Sequence, residues 1–194
     1  MKEKNQAKKN LKTNLEIKNI DKAKSILYAS TFNTQLGEMI AINDKRYLYL
    51  LEFIDKEDLE KEIKKVADQL NATLTFSRTK IGAKIKKEID LYFRGKKTYF
   101  ETPVYFLGTS FQKNIWSTLL EVDFGKTISY KELANKIGNN DVQRAAGSAI
   151  GKNKIAIVIP CHRIIKSNGE FGEYANGSER KEFLINHEKS FIKK

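Results

Sequence analysis

The chain has 194 residues, enough for one compact unit or two small lobes around a buried core. Its formal net charge of +12 points to a polyanionic partner, most often nucleic acid, although a codon-biased, lysine-rich composition gives the same balance. One cysteine excludes an internal disulfide framework. With only two histidines it leaves too few soft ligands for a zinc finger, and no apolar run approaches the ~18 residues of a membrane span.

Residues 1–25 are rich in lysine, poor in apolar material and without periodicity. They read as a basic flexible arm that either touches phosphates or merely keeps the chain in solution. The arm lacks the apolar core of a secretory signal, so a cytoplasmic location without a membrane partner is expected. Residues 26–106 read as an α/β lobe. Ile26–Phe32, Met39–Ile42 and Tyr47–Phe53 are β-type runs joined by short turns, which predicts an antiparallel meander. Leu59, Ile63, Val66 and Leu70 predict a helix over Asp55–Leu70. Thr73–Phe76 is a brief extended piece, and Ile81–Phe93 a second amphipathic helix. The lobe contains no Cys, no His and no Gly-rich phosphate loop, and reads as a support.

Residues 107–194 switch to helical patterning. Ser110 is placed as the cap of a helix through Phe111, Ile115, Trp116 and Leu119. Ser129 caps a short helix, Tyr130–Ile137; Gly138-Asn139-Asn140 breaks it, and another helix runs from Asp141 to about Lys152. Helix, short turn, helix is the helix-turn-helix arrangement. The second of these helices offers one arginine, Arg144, before the small residues Ala145-Ala146-Gly147-Ser148. Such a surface suits a shape-driven approach to a minor groove; the competing reading is tight helix packing with Arg144 a plain surface charge. A last helix, capped by Ser178, is expected to carry Phe183, Leu184, His187 and Phe191 along one face.

The apolar run Ile155–Ile159 stops at Pro160, and the sole cysteine, Cys161, follows with His162 beside it. This reads as a strand handing a nucleophile to a loop. A cysteine attacks only as thiolate, so it needs a base; His162 is adjacent, and Glu188 is suited to orienting an imidazole. Residue types alone leave open a cysteine hydrolase, a redox site, a one-time acceptor and an inert structural cysteine.

PCHR at 160–163, preceded by FQKNIW, GKTISYKELA, the Arg144 helix and GKNKIAIVI, resembles the O6-alkylguanine-DNA alkyltransferases, a family that includes the methylated-DNA–protein-cysteine methyltransferases. The resemblance spans Gly108 to Glu188. It implies a two-lobe α/β fold: a small ribonuclease-H-like antiparallel sheet with helices, then a helical, winged-helix-like helix-turn-helix domain. It also implies repair of O6-alkylguanine, and of O4-alkylthymine, in double-stranded DNA by single-use transfer of the alkyl group, with no cofactor and a monomeric protein; some members carry a metal site in the first lobe, for which this chain has no residues. Cys161 matches the acceptor, His162 the histidine that takes its proton, Glu188 the glutamate that orients the histidine, and Asn153 the asparagine holding the cysteine loop. Tyr130 matches the tyrosine that donates to the base. Arg144 matches the arginine replacing the extruded nucleotide, on the DNA-binding run with Ala145, Ala146, Gly147 and Ser148. Tyr174, Ala175 and Ile164 match the base pocket. The sequence departs from relatives in Ala175, where some carry Ser, and in Leu120–Asp123, which lacks a proline. The alternative within this frame is a lesion binder that transfers nothing; outside it, a helix-turn-helix regulator or a cysteine hydrolase.

Overall fold

A computed structural model describes residues 25–138 and 143–192. The chain divides into two compact units. Among the described residues, one holds 25–90 together with Glu101–Tyr105, and the other holds Leu91–Phe100, 106–138 and 143–192.

In the first unit, β1 (Ser25–Thr34), β2 (Gly37–Asn43) and β3 (Leu48–Phe53) form the antiparallel meander expected from their apolar runs. The registers Thr31↔Ile40 and Ala41↔Leu51 pair them. β4 (Ala72–Phe76) adds to the other side of β1 in parallel, giving the order β3-β2-β1-β4. β2 and β3 are buried nearly throughout, the pattern of strands covered on both faces. Helix α1 (Leu59–Gln69) buries Leu59, Ile63, Val66 and Ala67. It starts four residues later than the periodicity suggests. Asp58, just before it, takes the left-handed conformation at φ 59°, and Lys56 is held between Glu52 (2.7 Å) and Glu62 (2.9 Å).

Helix α2 (Lys80–Phe93) buries Ile85 and Ile89, and its last residues, Leu91–Phe93, belong to the second unit. There Tyr92 packs edge-on against Phe124, and Phe93 lies beside His187. Leu91–Phe100, inside the first lobe by sequence, therefore clusters with the second by packing.

The second unit continues with α3 (Ser110–Leu120), β5 (Ile128–Ser129), α4 (Tyr130–Lys136), α5 (Gln143–Gly151), β6 (Ile164–Ile165) and α6 (Ser178–Ile192). Thr109, not Ser110, caps α3. Its hydroxyl accepts from the Gln112 amide while the Gln112 side chain accepts from Thr109 N–H, and a glutamine three residues on is what makes that position the cap. Ser129 caps α4 as expected, in the same reciprocal arrangement with Glu132. Trp116 Nε1 donates to the Ala149 carbonyl at 3.0 Å and pins α3 to α5. Most of the expected break at Gly138-Asn139-Asn140, the expected helix start at Asp141 and the basic arm up to residue 24 lie outside the described residues. Among the described residues, no helix is long and apolar enough to cross a membrane.

Two expectations need correction. The run Ile155–Ile159 is not a strand. It folds into a tight turn, with Ile159 N–H donating to Ile155 O at 3.0 Å and Ile157 at φ 69°. The run is apolar because it is buried from all sides. A β-branched residue in left-handed backbone costs on the order of 1 kcal/mol, so something must hold it there. The second correction concerns α6. Phe183, His187 and Phe191 share a face as expected, with His187 between the two partly exposed rings, but Leu184 turns to the inward face with Lys181, Ile185 and Glu188. A lysine and a glutamate occupy buried positions that an apolar periodicity cannot reveal.

Candidate active site

Asn153 organises the turn. Its Oδ1 accepts from Ile155 N–H at 2.9 Å, and its Nδ2 donates to Ile159 O at 3.1 Å and to Cys161 Sγ at 3.1 Å. One buried amide thus holds the turn in its left-handed form and presents a donor to the sulfur. A hydrogen bond donated to sulfur favours the thiolate over the thiol. Cys161 opens a short 3-10 turn, Cys161–Arg163, whose three side chains are all buried. The chain then leaves as β6, paired in parallel with β5 through Ile128↔Ile164 and Ser129↔Ile165. Because α4 begins directly after β5, this pairing ties Tyr130 to the cysteine turn.

Glu188, 1% exposed, is the hub behind the thiol. It accepts five hydrogen bonds: from His162 Nε2 (2.7 Å), Arg163 Nε (2.9 Å), Arg163 Nη2 (3.0 Å), Tyr92 Oη (2.8 Å) and Gly125 N–H (2.8 Å). Burial opposes its ionisation, but the His162 bond together with the bonds and charge of Arg163 outweighs burial and pulls its pKa down to about 2. Arg163 Nη1 donates to the Val122 carbonyl, and the guanidinium lies over the Phe124 ring.

His162 is 0% exposed. Burial depresses its pKa; the Glu188 bond and charge work the other way without prevailing, and Arg163 and Lys181 add to the depression. It is therefore neutral at pH 7. An ionised carboxylate only accepts, so the Glu188 contact assigns the ring proton to Nε2 and leaves Nδ1 as a bare acceptor. No protein group bonds Nδ1 among the described residues. The geometry thus offers a sulfur with a donor and an adjacent neutral imidazole whose free nitrogen can take a proton.

Family models assign the same chain in two pieces. The 6-O-methylguanine DNA methyltransferase ribonuclease-like domain matches residues 27–106, and the DNA binding domain of the same name matches residues 110–190. The chain belongs to the 6-O-methylguanine DNA methyltransferase family. It is 34% identical over 165 residues to the methylated-DNA–protein-cysteine methyltransferase of Methanosarcina acetivorans, covering 84% of this chain and 99% of that one. The inducible Bacillus subtilis protein of the same name is 43% identical over 102 residues, 53% of this chain and 57% of that one. Among solved structures, Mycobacterium tuberculosis OGT in complex with DNA superposes with a TM-score of 0.73 at 29% identity, over 84% of this chain and 94% of that one.

With the family shown, the remaining residues singled out in the sequence can be placed. Tyr130, the first residue of α4, is half-buried beside Gly147 of α5, its ring 3.6 Å from where a Cβ on that glycine would stand. Burial raises its pKa and the negative charges of Cys161 and Glu173 add to the rise, so it is a protonated donor at neutral pH. On α5, Arg144, Ala145 and Ser148 are exposed and Gly147 half-buried. Ala146 faces the interior at 0% exposure, so its side chain has no surface to offer DNA. Ile164 is buried, Tyr174 sits edge-on to His162 at 6.5 Å, and Ala175 is exposed. The described residues hold no cluster of three or more His, Cys, Asp or Glu able to hold a metal.

Sequence reasoning missed four members of the site. Tyr92 lies far away in the chain. Arg163 stood in the PCHR motif with no role given. Gly125 contributes only a backbone N–H, and it needs both its φ of 73° and its missing Cβ, which would overlap Ile192. Lys181 looked like one more lysine on a helix. Only the side chain of Arg163, in the motif, carried a signal that could have been read.

Proposed function

We propose that this chain repairs O6-alkylguanine in duplex DNA by moving the alkyl group irreversibly onto Cys161, one group per molecule. The observation that carries this reading is the Asn153–Cys161 contact next to a buried, neutral His162 backed by Glu188. The Cys161 thiol gives its proton to His162 Nδ1, directly or through water. The sulfur lone pair attacks the alkyl carbon, an S–C bond forms as the C–O6 bond breaks, and the bonding pair leaves on the purine. Tyr130 donates a hydrogen bond or proton to the base as that charge develops, and is itself reprotonated. Overall the thiol proton ends on the restored guanine and the protein keeps a thioether. Water and thiols do not cleave a thioether, so the protein acts once.

The target atom lies inside the duplex, so the nucleotide must be turned out, at a cost of roughly a few kcal/mol. Arg144, exposed near the start of α5, fills the gap, while Ala145, Gly147 and Ser148 let the backbone approach the groove. Tyr174, Ala175 and Ile164 line the base pocket. O4-alkylthymine is the second substrate of this scheme. A monomer in the cytoplasm is the working species of this reading.

Incubation with duplex carrying labelled O6-methylguanine tests the proposal. One label per protein, absent from Cys161→Ala, is expected. Lesion binding without label transfer would support the lesion-binder reading, and no lesion preference at all would return the chain to a general DNA binder.

A further inference from the structure

A second buried charge lies near the thiol and has no part in the scheme above. Lys181 sits on the inward face of α6, seven residues before Glu188, or about 10 Å along the helix. It is 1% exposed. Its Nζ donates to the Glu173 carbonyl at 3.1 Å and lies 4.0 Å from where a Cβ on Gly172 would stand, beneath the loop that carries Tyr174. Among the described residues no carboxylate pairs with it. A buried ammonium without an anion is costly, and proteins pair or neutralise such groups. α6 packs against the cysteine turn, and Cys161 and His162 of that turn are the titratable groups within electrostatic reach of Lys181.

We propose that Lys181 is a positioning residue whose buried ammonium is the counter-charge for the Cys161 thiolate, so that the anion forms in a site already holding its cation. This rests on Cys161 being the acceptor. Three observations converge: the burial of Lys181, its lack of a carboxylate, and its place on the helix face packed against the cysteine turn. Burial pulls its pKa down to about 8 while Cys161 works in the opposite direction. At pH 7 the amine therefore still keeps its proton. The other titratable groups facing the pair are His162, Tyr130 and Glu173, with Arg163 and Glu188 behind His162 and Lys166 beside Tyr130. Of these, Arg163 is already committed to Glu188 and Lys166 to Glu170. Lys181 is the cation left for sulfur. No extra reactant is required: the proton still passes from sulfur to His162, and Lys181 keeps its own.

The test uses the full chain and iodoacetamide, which reports the one thiol independently of DNA. The rate of Cys161 alkylation against pH is followed in the wild type, Lys181→Met, Lys181→Gln and Lys181→Arg, alongside transfer from O6-benzylguanine and thermal melting. Lys181→Met and Lys181→Gln are expected to slow alkylation at neutral pH roughly tenfold or more, to move the midpoint of the profile upward, and to converge on the wild-type rate at high pH. Lys181→Arg restores part of the rate. Lys181→Met melts no lower than the wild type, because a buried unpaired charge has been removed. A loop support would behave otherwise: Lys181→Gln, which keeps a donor for Glu173, would match the wild type, or every variant would be slowed equally at all pH values. Either result, or a profile unchanged in Lys181→Met, overturns the proposal. If the wild type takes no group from O6-benzylguanine or the lesion, the acceptor reading fails, while the iodoacetamide profile still reports the Lys181–Cys161 coupling.

Discussion

Replacing Glu188 with Gln removes one charge and hardly changes shape, so its effect can be worked out in advance. The carboxylate meets five donors at 3.0 Å or less. An amide presents one oxygen to them and turns an NH2 toward the rest. Arg163, buried, keeps its charge with nothing to answer it. Breaking one side of such a pair costs about 3–5 kcal/mol. The pKa gives a second route to the size. A fall from the ordinary value of ~4.3 to about 2 corresponds to roughly 3 kcal/mol of preference for the ionised, folded form. The folded pKa is the depressed one, so this stability is fully present above ~4.3 and drains away as pH falls through about 2. Urea denaturation at pH 7 should place Glu188→Gln about 3 kcal/mol below the wild type, with the difference shrinking between roughly pH 4 and pH 2. In Glu188→Leu combined with Arg163→Met most of the loss should return, because neither charge is left stranded. A loss below 1 kcal/mol in the single variant, or no recovery in the double, would refute the view that this carboxylate holds the site together.

Three further outcomes are expected. Asn153→Ala should slow transfer at least tenfold and destabilise the second unit by about 1–3 kcal/mol, since Ile155 N–H and Ile159 O lose a buried partner; single-turnover kinetics with denaturation curves would show it. Gly125→Ala should cost about 1 kcal/mol by calorimetry, because the φ of 73° is strained for alanine while the exposed end of Ile192 can turn aside from the added Cβ; an unchanged melting temperature would count against that strain. Arg144→Ala should slow repair in duplex far more than reaction with free O6-benzylguanine, since only duplex requires extrusion of the base, and equal losses on both would remove Arg144 from that role.

The meander, both helices of the first unit and the capped α4 were legible in the sequence because period and turn residues fix them locally. Leu59, Ile63 and Val66 repeat as a helix face, and Ser129 with Glu132 carries its own start signal. Ile155–Ile159 was not legible. Five apolar residues before a proline read as a strand, and it takes the side chain of Asn153 just upstream, bonding Ile155, Ile159 and Cys161, to bend them into a turn. Cys161, His162 and Glu188 were found through residue type and motif. Tyr92 and Lys181 were not, because what matters in them is burial beside a charge, and burial of a polar residue leaves no periodic trace. The parallel pairing of β4 beside β1 escaped for a related reason: five residues of strand do not say which edge they join.

Glu188 has a consequence in time as well as in space. Synthesis runs from the N-terminus, and His162 precedes Glu188 by 26 residues. Cys161 therefore leaves the ribosome before the carboxylate that assigns the imidazole its proton, and before the buried lysine on the same helix. A nascent thiol at this position has neither its base in the right tautomer nor a cation beside it. Until the helix that arms it has been made, the cysteine meets a stray electrophile only as an ordinary thiol, mostly protonated at neutral pH.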